Sequence, residues 1–446
     1  MPLNASLVPW WQSFFRLALA NIIANLMVPL AGLVDTAFLG HLTEIHHLGG
    51  VALATTIFNV VYWGFGFLRM GTTGLIAQAT GQDQPDEILL ILLRHGVIAL
   101  GLGVGILVLQ VPIRDWGFAL LGAEADLKLA GYAFYQARIW DAPAVLLNLV
   151  VVGWCLGQEK GRWVILLSLV GNGSNVVLNY LFIRQWGWAS TGAGLATALS
   201  QYMMLAVGLV MIRAALGRQT LARLLPQLWQ GEKLQQILLL NRDILIRTSV
   251  LILSFALFTR VSASLGSLVL AANTLLLQVV TLSAYFIDGI AFATESFAGR
   301  CYGRGDRRGL WGLLGVGGVA SLLLGLGFAA VFMSFPQPLF GLLTSHAEVI
   351  IQLRAFRGWL IPVLAFGAIA YLLDGFFLGL TARTILRNGT VLAGLVGFLP
   401  LALVAQAIAS PHLLWLALTG LMAGRALTLA WAVPRWFAPK PESSIH

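Results

Sequence analysis

The 446 residues are 59% hydrophobic and only 10% charged, against roughly 25% charged in ordinary soluble domains. That balance excludes a water-solvated enzyme. The net charge of +9 does not indicate nucleic-acid binding either, because the cations fall in short breaks between apolar segments and not along one face. Each apolar segment runs to roughly 20 residues or more, enough to cross a hydrocarbon core of about 30 Å. Backbone polar groups in lipid must be satisfied within such a segment, and the alternation of a membrane barrel is absent. The expected fold is therefore an all-α polytopic membrane protein.

In chain order, the apolar runs predict helices at 14–40, 49–76, 88–112, 127–156, 163–184 and 190–213. An amphipathic basic stretch follows at 214–243, and six more helices are predicted at 244–265, 268–297, 309–335, 348–380, 386–409 and 412–434. Twelve transmembrane helices in two six-helix lobes are thus expected: an N-lobe over 1–213, a cytoplasmic inter-lobe linker over 214–243 and a C-lobe over 244–446. The halves resemble each other. A shift of 218 lays Val51, Ala54, Gly71 and Gly81 on Val269, Ala272, Gly289 and Gly299. Arg138, Trp140 and Pro143 match Arg357, Trp359 and Pro362 at 219, and Gly153 and Gly157 match Gly375 and Gly379 at 222. Six helices per half make the repeat parallel, with pseudo-symmetry about an axis along the membrane normal.

Placing the N-terminus inside puts Lys160, Arg162, the linker cations, Arg300, Arg304, Arg307, Arg308, Arg383, Arg387, Arg435 and Lys440 on one side. Arg114, Lys128 and Arg184 remain on the other. Both termini are therefore expected in the cytoplasm of a bacterial-type inner membrane. No cleavable leader is expected, since Arg16 follows Trp10 and Trp11 instead of preceding the apolar stretch. Cys155 and Cys301 are the only cysteines, too far apart in sequence to suggest a disulfide framework or metal site, and read as packing residues.

The first helix carries Asn21, Asn25, Gly32 and Asp35 on one face, with Pro29 between them. Pro29 removes a backbone donor and crowds the preceding turn, so a bend before Asp35 is expected. An ionised Asp inside a spanning helix costs about 2.5–3.5 kcal/mol, so such residues usually face a cavity or bind a proton or cation. A packing or helix-end role is the alternative, because Asp35 lies within two turns of the helix end. Thr56, Asn59, Trp63 and Gly66 form a stripe on the second helix; Ser168, Asn172, Asn175 and Asn179 on the fifth; Ser190, Gly194, Thr197 and Gln201 on the sixth. Such stripes can glue helices together, but several in one half favour a shared wet cavity. On the fourth helix Arg138 and Asp141 are expected to pair, with Asn148 two turns on. In the second half Asp288, Glu295 and Asp374 have Arg247, Arg260, Arg300 and Arg383 available, and structural pairing is preferred over a second coupling site.

Some signals are set aside. His41, His46 and His47 sit with Glu44 in the first loop without further ligands, so a solvated loop and no metal site are expected. Gly101, Gly103 and Gly105 lie in an apolar helix, where they serve packing, and the absence of any Gly-Lys pair leaves no ATP-binding loop. The sequons at Asn4, Asn172 and Asn388 fall where modification is not expected.

The run from Val28 to Leu42, Val-Pro-Leu-Ala-Gly-Leu-Val-Asp-Thr-Ala-Phe-Leu-Gly-His-Leu, resembles the first helix of the multidrug and toxic compound extrusion (MATE) family, especially its DinF-like branch. Ile246-Arg247-Thr248, Leu270-Ala271-Ala272-Asn273, the stretch from Ile287-Asp288-Gly289 through Glu295 to Gly299-Arg300, and Leu373-Asp374-Gly375 carry the resemblance through the second half. It covers essentially the whole chain. It implies a cation-coupled antiporter that exports amphipathic, often cationic compounds, with Asp35 as the coupling carboxylate and Pro29 as the bending point. The positions matching the family's ion site are Asn175, Asn179 and Thr197. Relatives can have Asp where this chain has Asn179, and losing that charge favours proton over sodium coupling while leaving sodium open through Asp35 and neutral oxygens.

No cofactor beyond the coupling ion is expected. The expected partners are a small amphipathic substrate and the lipid bilayer, with no nucleic acid and a monomeric chain; Thr56, Asn59, Trp63 and Asn175 are the candidates for lining the substrate site. A lipid-linked saccharide flippase is the alternative transporter, but it calls for a strongly cationic cavity, and these arginines sit mostly at loop edges. A membrane enzyme would need paired acids or a metal motif, for which only Asp288 and Glu295 offer themselves.

Overall fold

A computed structural model describes residues 9–42, 44, 46–122, 125–215, 223–341, 344 and 346–437. Asn4, Lys440 and positions 216–222 of the expected linker lie outside the described residues. Twelve helices are long and apolar enough to cross a membrane: α1 Trp10–Gly40, α2 His46–Gly81, α3 Pro85–Val108, α4 Asp126–Gly157, α5 Gly161–Gln185, α6 Ala189–Ala215, α7 Gly231–Ser264, α8 Ser267–Gly303, α9 Arg307–Ser334, α10 Glu348–Gly379, α11 Arg383–Ala407 and α12 Pro411–Phe437. No strand occurs among the described residues. The chain is an all-α, multi-pass membrane protein, as its composition requires.

Contacts divide it into two compact units, one of Leu19–Asn241 and one joining the chain up to Ala18 with Arg242 onward. The start of α1 thus groups with the later helices, and Phe14 meets Phe297 edge to face with centroids 5.7 Å apart. Of the stretch expected as a linker, 214–215 and 223–241 group with the first unit and 242–243 with the second. The stretch is held to the first unit by the buried Arg94 of α3, which donates to the carbonyls of Gln227 (2.8 Å) and Leu228 (3.3 Å). Arg223 and Asp86 form a second tie at 2.7 Å. Helix α7 begins at Gly231, well before the predicted 244. Ile237 and Leu240 bury while Leu238 stays half exposed, so the amphipathic stretch continues the helix with one face packed.

Within the first unit, α4 is cut by a 3₁₀ turn at Ile139–Asp141. Pro143, two residues beyond, has no N–H to offer the Ile139 carbonyl, which explains the tightened turn. Helix α10 of the second unit has the same device, a 3₁₀ turn at Arg357–Trp359 followed by Pro362. The repeated glycines are equivalent as well. A Cβ on Gly153 would come 2.8 Å from the Arg69 carbonyl of α2, and one on Gly157 would come 2.8 Å from that of Thr73. In the second unit Gly375 and Gly379 press against the carbonyls of Ala291 and Glu295 on α8. Each half therefore packs its fourth helix backbone-to-backbone on its second. Helices α5 and α11 complete the parallel with π-helical turns at Tyr180–Gln185 and Ala393–Phe398.

The second unit's core is aromatic and aliphatic, with Phe258 and Trp415 edge to face at 5.1 Å. Within it Trp415 donates to Asn273 Oδ1 (2.9 Å), and Asn273 donates to Ser262 (2.9 Å). Of the glycine run on α3, only Gly103 packs closely, against Pro143 of α4; Gly101 and Gly105 face open space. That contrast yields an expected result. Gly375→Ala forces backbone apart and should cost about 1–3 kcal/mol, whereas Gly105→Ala should leave stability unchanged or slightly higher; thermal unfolding in detergent distinguishes them.

Candidate functional site

Helix α1 runs unbroken through Pro29, whose ring nitrogen has no hydrogen to give the preceding turn. Two turns of α5 lie against it. Ser168 donates to the Ala24 carbonyl (3.2 Å), and Asn172 turns back to the Ser168 carbonyl (2.8 Å), so this end of the α5 stripe joins the two helices.

The other end of the stripe reaches Asp35. Asn179 Nδ2 donates to Asp35 Oδ1 at 2.5 Å and to Asn175 Oδ1 at 3.1 Å. Asn175 Nδ2 in turn donates to Thr197 Oγ1 of α6 at 3.3 Å, and that hydroxyl donates to the Ala193 carbonyl at 3.0 Å. Asp35, Asn179, Asn175 and Thr197 thus form one continuous chain across α1, α5 and α6, built from one carboxyl, two amides and a hydroxyl. The i, i+4 spacing of Asn175 and Asn179 puts both amides on the same face. Both are buried, while Asp35 and Thr197 are half-buried. The Asn179 amide nitrogen is satisfied twice, but its Oδ1 has no partner. A buried acceptor left unpaired costs about 1–3 kcal/mol, so this oxygen favours a donor or cation beside the carboxyl.

A cavity of about 350 Å³ adjoins the chain, walled by Val34, Phe38 and His41 of α1 and by Tyr180, Ile183 and Arg184 of α5. Asp35 and Asn179 are sequence neighbours of its lining residues Val34 and Tyr180. The π-helical turn at Tyr180–Gln185 supplies one wall. No single residue here announced the cavity in the sequence, because most of its lining is apolar.

Thr56, Asn59 and Trp63 stand exposed on one face of α2. The Thr56 hydroxyl turns back to the Ala52 carbonyl at 3.0 Å. Among the described residues, no side-chain hydrogen bond ties these three to the Asp35 chain.

On α4, Arg138 and the buried Asp141 form the expected pair at 3.3 Å, and Tyr62 of α2 also donates to Asp141. Arg138 lies over the Phe58 ring at 4.5 Å. In the second unit both Arg247 and Arg425 donate to Asp374, all three being buried. Arg425 was missed in the sequence, although an arginine within the apolar α12 was itself the signal. Arg383 turns instead to Asp243 (3.8 Å), which also holds Arg387 at 3.0 Å. Glu295 is buried on α8.

These spans and their buried polar chain are those of a membrane transporter. The MatE family profile matches residues 20–181 and 244–386, and the chain belongs to that family of multidrug efflux transporters. It is 36% identical over 434 residues to DNA damage-inducible protein F of Escherichia coli (strain K12), covering 96% of this chain and 94% of that one. It is 24% identical over 344 residues to the probable multidrug resistance protein NorM of Thermotoga maritima, covering 76% and 73%. A structure described as the outward-facing conformation of a multidrug resistance MATE family transporter shares the fold, with a TM-score of 0.86 at 20% identity over 96% of each chain.

Proposed function

We propose that the chain is a proton-coupled antiporter that exports amphipathic, often cationic compounds by alternating access. The observation that carries this reading is the Asp35–Asn179–Asn175–Thr197 chain, in which one ionisable group is surrounded by neutral hydrogen-bonding side chains. An amide beside Asp35 suits both of its states: it donates to the carboxylate and, turned over, accepts from the carboxylic acid. A protonated Asp35 and a cationic substrate would then exclude each other, so proton entry accompanies substrate exit. With a monovalent cation leaving as one proton enters, the exchange moves no net charge, and the pH difference drives it by about 1.4 kcal/mol per tenfold proton ratio.

Sodium would have to rest on a single carboxylate and neutral oxygens, with Asn179 where an acid could have added charge. The cavity beside Asp35 is the proposed substrate contact, together with Asn175 and the exposed Thr56, Asn59 and Trp63. The proposal places both termini on the cytoplasmic side of an inner membrane, supported by the cation distribution between spans. It takes the working unit to be one chain with no enzymatic step and no cofactor beyond the coupling ion.

Efflux of a fluorescent cationic dye from loaded proteoliposomes tests the ion. A proton gradient alone should drive it, and a sodium gradient at matched pH should not. Efflux driven only by sodium would move the coupling to a sodium ion held by the same four side chains.

A further inference from the structure

The sequence leads one to expect His41, His46, His47 and Glu44 in a solvated loop without further ligands, yet the structure brings Glu44, His46 and His47 together. His46 Nε2 lies 3.3 Å and His47 Nε2 lies 3.5 Å from the same oxygen, Glu44 Oε2, and the ligand atoms of all three residues fall within 4.8 Å of one another. Donors held about 2.0–2.1 Å from a tetrahedral zinc ion are separated by about 3.3–3.4 Å along each edge. Two of the three edges here match that spacing. Consecutive residues on a helix normally diverge, but the His46 and His47 rings sit with centroids 4.4 Å apart, because both turn toward Glu44.

A further contact orients one ligand. His47 Nδ1 lies 2.8 Å from Ser190 Oγ at the start of α6, and Ser190 is buried. With the Nδ1 proton given to that hydroxyl, the Nε2 lone pair is left facing a carboxylate oxygen 3.5 Å away, an arrangement that a shared cation would satisfy. This matches the way a metal-bound histidine is commonly fixed by a hydrogen bond from its other ring nitrogen.

We propose that Glu44, His46 and His47 form a site for a zinc-class divalent cation, with Ser190 as its positioning residue and one coordination place open to water. Two imidazoles and one carboxylate are a borderline-soft donor set, suited to zinc over calcium or magnesium. The ion would clip Glu44 to the start of α2, beside Ser190 of α6. Leu42, two residues before Glu44, lines the cavity next to Asp35, so the clip would restrain one wall of that cavity.

The test titrates zinc into the purified full-length chain, stripped with chelator, in competition with a chromophoric chelator, and repeats the titration with Co2+ to read geometry from visible absorption. One zinc per chain and an intense tetrahedral cobalt spectrum are expected. Glu44→Gln, His46→Ala and His47→Ala should each weaken binding at least about tenfold, and Ser190→Ala by about 10-fold, with His41→Ala unchanged. Glu44→Gln is a conservative change in an exposed loop, and retained helix content checks its fold. A folded parent that takes up no zinc at micromolar free metal overturns the site, as does parental affinity in the His46→Ala, His47→Ala double variant or a weak octahedral cobalt spectrum.

Discussion

Asp35→Asn is expected to leave the chain folded and unable to concentrate substrate against a gradient. Asparagine keeps the shape of the side chain and an oxygen that accepts from Asn179, so the link across α1 and α5 survives. What disappears is the one group in the chain that can exchange a proton. With a monovalent dye cation leaving as one proton enters, the exchange is electroneutral, and each unit of pH difference sustains about a tenfold substrate ratio, roughly 1.4 kcal/mol, that the variant forfeits. The check is the steady-state dye ratio across proteoliposome membranes under a fixed pH difference, for parent and variant at equal protein. A variant that sustains the parental ratio would remove Asp35 from the coupling step.

The largest effect on stability is expected at Asp374. Its carboxylate accepts from Arg247 of α7 and Arg425 of α12, and all three side chains are buried. Removing one partner of a buried ionic group costs about 3–5 kcal/mol, because the remaining charge is left uncompensated. Asp374→Leu leaves two such charges. It should sharply lower membrane yield and detergent-solubilised thermal stability. Replacing Arg247 and Arg425 with leucine in the same chain should recover part of the loss, since an apolar cluster of similar volume avoids the desolvation penalty. A stable Asp374→Leu protein would mean that the arginines find other acceptors.

The fold was legible because lipid leaves a spanning backbone few options, and twelve apolar runs could only be helices. The start of α7 was less so. Its first two turns are amphipathic and carry Lys233, and the period that buries Ile237 and Leu240 becomes plain only once a packing partner is present. The repeat glycines were visible as spacing, but their shared task, bringing α4 onto α2 and α10 onto α8, depends on backbone approach that no single position reveals.

At the candidate site, the steps along α1, α5 and α6 put each polar residue on a face, and the family resemblance selected Asn175, Asn179 and Thr197 from the stripes. Chemistry alone left Ser168 and Asn172 equal to them. The structure separates the pairs: the first meets α1 backbone, while the second leads to Asp35. The cavity walled by Phe38 and Tyr180 carries no sequence mark, because apolar residues in a spanning helix read alike whether they face lipid, a neighbour or a void. Glu44, His46 and His47 were visible as residue types, but the approach of both imidazoles to one Glu44 oxygen is a matter of side-chain placement that spacing does not give.

The most direct test of proton antiport through Asp35 is proton movement driven by substrate alone. Proteoliposomes with a trapped pH-sensitive dye, equal pH on both sides and the membrane potential clamped, would receive a cationic substrate on one face. The parent should move protons against the flow of substrate, and Asp35→Asn should move none while remaining folded. Substrate uptake without proton movement in the parent, or equal proton movement in both proteins, would contradict the account.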